Sequence, residues 1–163
     1  MPPSTSSHAR LRRTLGFLLQ DTSRLMRRRF IQRARETGLP LNRSEVSLLR
    51  HVKHEQGINQ ATLASYMDIE PVTVLRLIDR LEAEGLVERR PDPSDRRVWT
   101  VWLTDAAGPM LERIKAITLC VRRQALNGFS AEQTEALIEA LVAVRGNLIE
   151  ALEDVPKKKA GSG

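Results

Sequence analysis

The chain has 163 residues, enough to bury a real core in one domain or a compact pair of lobes, and its formal charge is +6. It has no apolar run of the roughly 18 residues that a membrane helix needs, and its opening, Met1–Arg13, is polar and basic with no long apolar region after it, which argues against a secretory signal. The single cysteine, Cys120, excludes an internal disulfide, so a cytoplasmic protein with no membrane association is the expectation.

In chain order, residues 1–9 are rich in Ser, Thr and Pro and read as a disordered tail. Arg10–Thr37 reads as a long helix with Leu11, Leu15, Leu18, Thr22 and Leu25 in one stripe, Leu19, Met26 and Phe30 beside it, and Gly38 as its stop. Its run Arg27-Arg28-Arg29 is either a solvated face or a set of phosphate contacts beside a groove. Asn42–Gln56 forms a second helix, with Asn42 as N-cap, Glu45 three residues on and Gly57 as the stop; Val46, Leu49 and Val52 face inward. Asn59-Gln60 opens a third, carried by Leu63, Ala64 and Met67, and small Ala64 permits the close helix crossing that a helix-turn-helix requires.

The turn Met67-Asp68-Ile69-Glu70 leads into a helix over Glu70–Gly85, with proline in its first turn and glycine at its end. Val74, Ile78 and Leu81 give this helix a buried stripe, while Thr73, Arg76 and Arg80 fall on another face. Leu86–Arg90 then reads as a strand, Pro91–Asp95 as a turn and Val98–Leu103 as a returning strand. After it, Thr104 is placed to cap a helix with Met110, Ile114, Ile117 and Val121 in line, its first turn distorted or restarted at Pro109, and Asn127-Gly128 breaks it. Ser130 with Gln133 forms a capping box, followed by Leu137, Leu141, Val144, Leu148 and Leu152 on one face. Residues 156–163 read as a flexible basic tail, and no solenoid-type repeat is present.

The expected fold is mainly α with a small β-hairpin wing. Residues 41–104 would form a winged helix-turn-helix, and residues 10–40 and 105–155 a helical dimerisation region. Residues 1–38 hold nine Arg against two acids, residues 39–104 nine bases against ten acids, and residues 105–163 eight of each. Arginines in the central part must therefore act by placement rather than by bulk charge. Arg76 and Arg80, four apart, can both point into a major groove, where arginine pairs with guanine O6 and N7. Arg80 has the alternative of pairing with Glu84 or Asp79. Pro71, Val72 and Thr73, at the helix start, can meet base edges or thymine methyls. In the wing, Ser94 and Asp95 lie beside Arg96 and Arg97; Asp95 can brace Arg97, and an arginine at the tip can enter a narrow minor groove. Which of the two arginines reaches deeper is open. Trp99 and Trp102 have opposite parity, so one is expected in the core and one half-exposed.

Leu75–Glu82, Gly85-Leu86-Val87 and the run Asp95-x-Arg97-x-x-x-Val101-x-Leu103-Thr104 together resemble the MarR family of bacterial transcriptional regulators over about residues 11–153. Leu103–Ala107 with Gly108-Pro109 is most similar to the SlyA branch. The resemblance implies a homodimer on double-stranded DNA at a roughly palindromic operator, one wing arginine for bracing and one for DNA, and release by a small aromatic or phenolic effector at unknown residues; repression is the expected mode. The apolar terminal helices can either fold onto the central lobe or pair with a second chain. A two-fold dimer is favoured, because it sets two recognition helices about one DNA turn, ~34 Å, apart. The alternative function is a winged-helix protein-interaction module without DNA binding.

An enzyme is not expected, and neither a cofactor nor a metal. His51 and His54 share a helix but have no Cys or acidic partner to complete a metal set, and His8 lies in the tail. No phosphate-cradling glycine loop or nucleophile elbow is present. Cys120 falls in an apolar stripe and reads as a buried structural thiol. The reactive cysteine of the family's peroxide-sensing branch lies in the first helix, where this chain has none.

Overall fold

The computed structural model describes residues 14–154, which contain six helices and three short strands. Helix α1 spans Leu15–Glu36, α2 Arg43–His54, β1 Ile58–Asn59, α3 Gln60–Met67, α4 Pro71–Ala83, β2 Val87–Pro91, β3 Trp99–Leu103, α5 Ala107–Ala125 and α6 Ala131–Glu153. Residues 10–13 of the expected first helix and the expected tails, 1–9 and 156–163, lie outside the described residues. The described residues up to Arg122 form one compact unit and those from Arg123 onward a second.

Local chemistry sets most boundaries. Helix α1 opens at Leu15, where Thr14 is extended and its hydroxyl accepts the Phe17 N–H as an N-cap. Helix α2 opens with a full capping box: Asn42 Oδ1 accepts the Glu45 N–H (3.1 Å) and Glu45 Oε2 accepts the Asn42 N–H (2.7 Å). Asn59 caps α3, and Asp68 ends it in the left-handed conformation. Proline occupies the first turn of α4 as expected, but its N-cap, Glu70, makes no side-chain capping bond. Thr104 does not cap α5: its hydroxyl donates to the Gly85 carbonyl at the base of the wing, and its backbone N–H donates to Leu86. Pro109 lies in the first turn of α5, where a missing N–H costs little.

The sheet has the order β1-β3-β2, all antiparallel. In β2·β3 Val87 pairs with Leu103 and Pro91 with Trp99; in β1·β3 Ile58 pairs with Val101. Strand β1, two residues long, carries too short a pattern to be seen in the sequence. It fixes the wing to the helix-turn-helix through the stretch between α2 and α3. Gly57, just before it, has φ +81, and its N–H donates to the Val101 carbonyl. The Trp102 ring lies so close that a Cβ on residue 57 would stand 2.7 Å from it.

The core of the first unit joins α2, α3, α4 and the sheet through Leu48, Leu49, Val52, Leu63, Val74, Ile78, Leu81, Val87 and Val101. Helix α5 adds Leu111, Ile114, Ile117 and Val121. The stripe Val74, Ile78, Leu81 is thus buried as its spacing predicts, each side chain contributing about 1.5–3 kcal/mol. Neither tryptophan is in the core: Trp99 is 53% exposed and Trp102 is half-buried, while adjacent Thr100 and Val101 are both buried. Cys120 is half-buried rather than buried. In the second unit α6 has the expected Ser130–Gln133 capping box and no buried residue; Leu148 is 60% and Leu152 75% exposed.

Candidate nucleic-acid interface

Helix α4 presents Pro71, Val72, Thr73, Arg76 and Arg80 on its exposed surface, opposite Val74, Ile78 and Leu81. Its start is held by α3, where Gln60 Nε2 donates to the Pro71 carbonyl (3.0 Å). The neighbouring residues at the entrance are therefore fixed in the backbone sense, and Val72, at 55% exposure, stands out as an apolar group facing solvent.

The two arginines of α4 have different surroundings. Among the described residues Arg76 has no hydrogen-bond or ion-pair partner. Arg80 faces two carboxylates: its Nε lies 3.0 Å from Glu45 Oε1 and 3.5 Å from Glu84 Oε1. Glu84 was one of the partners expected for it, but Glu45, on α2, is sequence-distant and fully buried. Asp79, the other expected partner, is taken by Arg89 of β2. Arg89 also donates to Glu82 Oε2 (2.8 Å), while its backbone N–H donates to Glu82 Oε1 (3.2 Å). One side chain thus straps the recognition helix to the wing with charge-assisted bonds. Sequence reasoning missed it because the partners lie seven and ten residues apart across a turn.

The wing tip is closed by the Asp92 N–H on the Val98 carbonyl and the Val98 N–H on the Asp95 carbonyl. Asp92 Oδ1 accepts from the Ser94 N–H and hydroxyl and from the Asp95 N–H, and these bonds, the Ser94 hydroxyl first, hold its carboxyl below the usual carboxylate range. Asp95 accepts from Arg97 Nε (3.1 Å), Nη2 (3.1 Å) and backbone N–H (3.0 Å). The Arg97 guanidinium likewise lowers the Asp95 pKa, and the carboxylate raises that of Arg97. Arg96 is exposed and has no partner among the described residues. Farther back, Arg90 stacks over the half-buried Trp102 ring at 4.8 Å, and Trp102 Nε1 donates to Thr100 Oγ1 (2.9 Å).

Within the same unit α1, α2 and α5 line a half-open cavity of about 400 Å³, with Met26, Arg27, Phe30, Arg43, Arg50, His51 and neighbours in its wall and no carboxylate among them. Burial and then Arg27 pull the Arg43 pKa below its ordinary value; burial, Arg50 and His54 do the same to His51. Such a wall favours an anion with an apolar body. Among the described residues no group of His, Cys, Asp and Glu is arranged to hold a metal ion, and no helix is long and apolar enough to cross a membrane.

A three-helix core, a strapped recognition helix and a two-stranded wing with one edge strand define a winged helix-turn-helix protein. A MarR family model matches residues 41–99. The crystal structure of the transcriptional regulator PA3341 is similar at 31% identity, with a TM-score of 0.71, over 84% of this chain and 99% of that one. Wild-type apo MarR from E. coli matches at 21% identity and TM-score 0.71, over 80% of this chain and 96% of that one. A MarR transcriptional regulator from Methanosarcina mazei Go1 matches at 24% identity and TM-score 0.73, over 84% and 97%. The chain belongs to the MarR family. That family is one of transcriptional regulators, not of enzymes.

Proposed function

We propose that this protein is a cytoplasmic homodimeric transcriptional repressor that reads a pseudo-palindromic operator and is released by a small aromatic anion. The observation that carries the DNA reading is that Arg76 on α4 and Arg96 at the wing tip have no partner among the described residues, while Arg89 ties α4 to the wing through Asp79 and Glu82. Arg76 reads a base edge in the major groove, with Pro71, Val72 and Thr73 beside it; Arg96 meets the minor groove or its phosphates. Asp95 and Ser94 shape the wing, and Arg97 is spent on Asp95. That the similar proteins of solved structure are transcriptional regulators supports the same reading.

Residues 10–40 and 105–155 supply the dimerisation region in this reading. Support comes from apolar side chains that a lone chain leaves in water: Leu15, Leu18 and Leu25 on α1, and Leu141, Leu148 and Leu152 on α6. Leu103–Pro109 supports a place near the SlyA branch. The effector site is the cationic cavity, whose Phe30 and Met26 suit an aromatic ring and whose Arg27, Arg43 and Arg50 suit its carboxylate. Selection of bound sequences from a random duplex pool, followed by salt-dependent mobility shifts, tests the reading. A two-fold-related consensus is expected; no selected sequence at low salt would overturn it in favour of a protein-interaction module.

A further inference from the structure

Trp99 is the exposed end of β3, and neither the core nor the operator reading uses it. Side chains alternate across a strand, so β2 and β3 together present two faces. Arg90, Thr100 and Trp102 share one face, where Arg90 stacks on the Trp102 ring. Val87, Arg89 and Pro91 share the other with Trp99 and Val101. That second face is turned to α4, because Arg89 ion-pairs there with Asp79 and Glu82. Trp99, paired with Pro91, lies two residues beyond the Val101–Arg89 pair, roughly 7 Å farther toward the wing tip. Its indole N–H has no acceptor among the described residues, whereas Trp102 Nε1 donates to Thr100.

The surroundings of this ring favour an anion. Across from its face stands α4 with Arg76, and three residues back along the wing is Arg96, each a cation without a partner among the described residues. The carboxylates on that side, Asp79 and Glu82, are already matched by Arg89. A duplex that takes α4 in its major groove and the wing in the adjacent minor groove must pass the sugar–phosphate strand dividing those grooves between the two elements. An indole suits that strand, since its body packs on deoxyribose while its N–H donates to a phosphate oxygen. We propose that Trp99 contacts the DNA backbone there, seating the phosphate strand between α4 and the wing and so fixing the register in which Arg76 meets its base. This rests on the operator reading above. Trp99 carries no charge, so its contact releases no counterion, which separates its role from that of Arg96.

The test uses the full-length protein and the operator selected from the random duplex pool. Trp99→Ala should weaken operator binding about 2–10-fold, the range of one net hydrogen bond, with every base preference and the salt slope unchanged. Single operator phosphates are then replaced by methylphosphonate. At one position per half-site the neutral group should cost the wild type affinity but cost Trp99→Phe, which lacks the N–H, less than about twofold. In the wild type, hydroxyl-radical oxidation of Trp99, read residue by residue by mass spectrometry, should drop several-fold when the operator is bound; this readout needs no variant. Operator binding that leaves Trp99 oxidation unchanged, or a folded Trp99→Ala with wild-type affinity, overturns the contact and leaves the DNA reading intact. Loss of preference at one base position in Trp99→Ala makes Trp99 a base reader and overturns the backbone assignment. A wild type that selects no sequence at low salt overturns this proposal together with the DNA reading.

Discussion

Arg76, Arg96 and Arg97 carry the same charge but differ in what already holds them, and that difference separates their expected roles. Arg76→Ala should cost about 1–3 kcal/mol of operator affinity and relax preference at one base position in each half-site. Arg96→Ala should weaken binding evenly across sequences and lower the salt slope by about one per protomer, checked by titration at several salt concentrations. The Asp95 brace has a depressed folded pKa, so its contribution is present above the ordinary carboxylate value and lost only as pH falls through the lower folded value. Operator binding should then show no step from Asp95 between pH 5 and 8. His51 has the same sign in a higher pH window. Burial, Arg50 and His54 depress its pKa, so the unfolded chain takes a proton first and stability declines as pH falls below the ordinary histidine value of about 6.5. The charged groups acting on it are Arg50 and His54 of its own helix; Arg27 of α1 and Arg43 of α2 line the same cavity, and the Tyr66 ring centroid lies 5.7 Å away. An anion in the cavity offsets these cations, so salicylate binding should take up a proton and tighten from pH 7.5 to 5.5. His51→Asn should flatten that profile in calorimetry.

Strand β1 and the Gly57 turn show how a short element determines the pose of the wing. Any L side chain at residue 57 meets both the positive φ of +81 and the Trp102 ring. Gly57→Ala should therefore destabilise the fold by about 1–2 kcal/mol from backbone strain alone, with the ring contact adding to it, measured by urea unfolding. On the other side of the wing, Arg89→Ala leaves Asp79 and Glu82 without their shared cation. It should lower operator affinity without altering base preference, since the strap orients the wing and touches no base. Loss of preference at the Arg76 position in that variant would mean that Arg89 reads DNA itself.

At the scale of the molecule, α6 is a 23-residue helix without a buried residue, and α1 buries only Ala34. Helices of this length in water derive most of their stability from packing an apolar face. In the proposed reading a second copy of the chain is that partner, since a two-fold operator would call for a two-fold dimer. Removal of residues from Ser130 onward should give monomer or aggregate in sedimentation and abolish tight operator binding. A truncated chain that remains a soluble monomer and binds the operator normally would sink the dimer reading.

The helix-turn-helix and the wing were legible because each rests on local chemistry. Asn42 with Glu45, Asn59, Pro71 and the stripe Val74–Leu81 define helices within their own few residues, and Asp95 reaches Arg97 two positions away. What joins these pieces was not legible. Glu45 meets Arg80, Arg89 meets Asp79 and Glu82, Ile58 pairs with Val101, and Trp102 packs over Gly57, each across a fold that pairwise spacing does not encode. Thr104 looked like a helix cap because its neighbours suit one, yet the hairpin brought the Gly85 carbonyl within its reach first. Sequence determines which residues start, fill and end an element, since those choices depend on neighbours one turn away. Which arginine remains free for a ligand depends on where distant carboxylates arrive, and only the tertiary structure decides that.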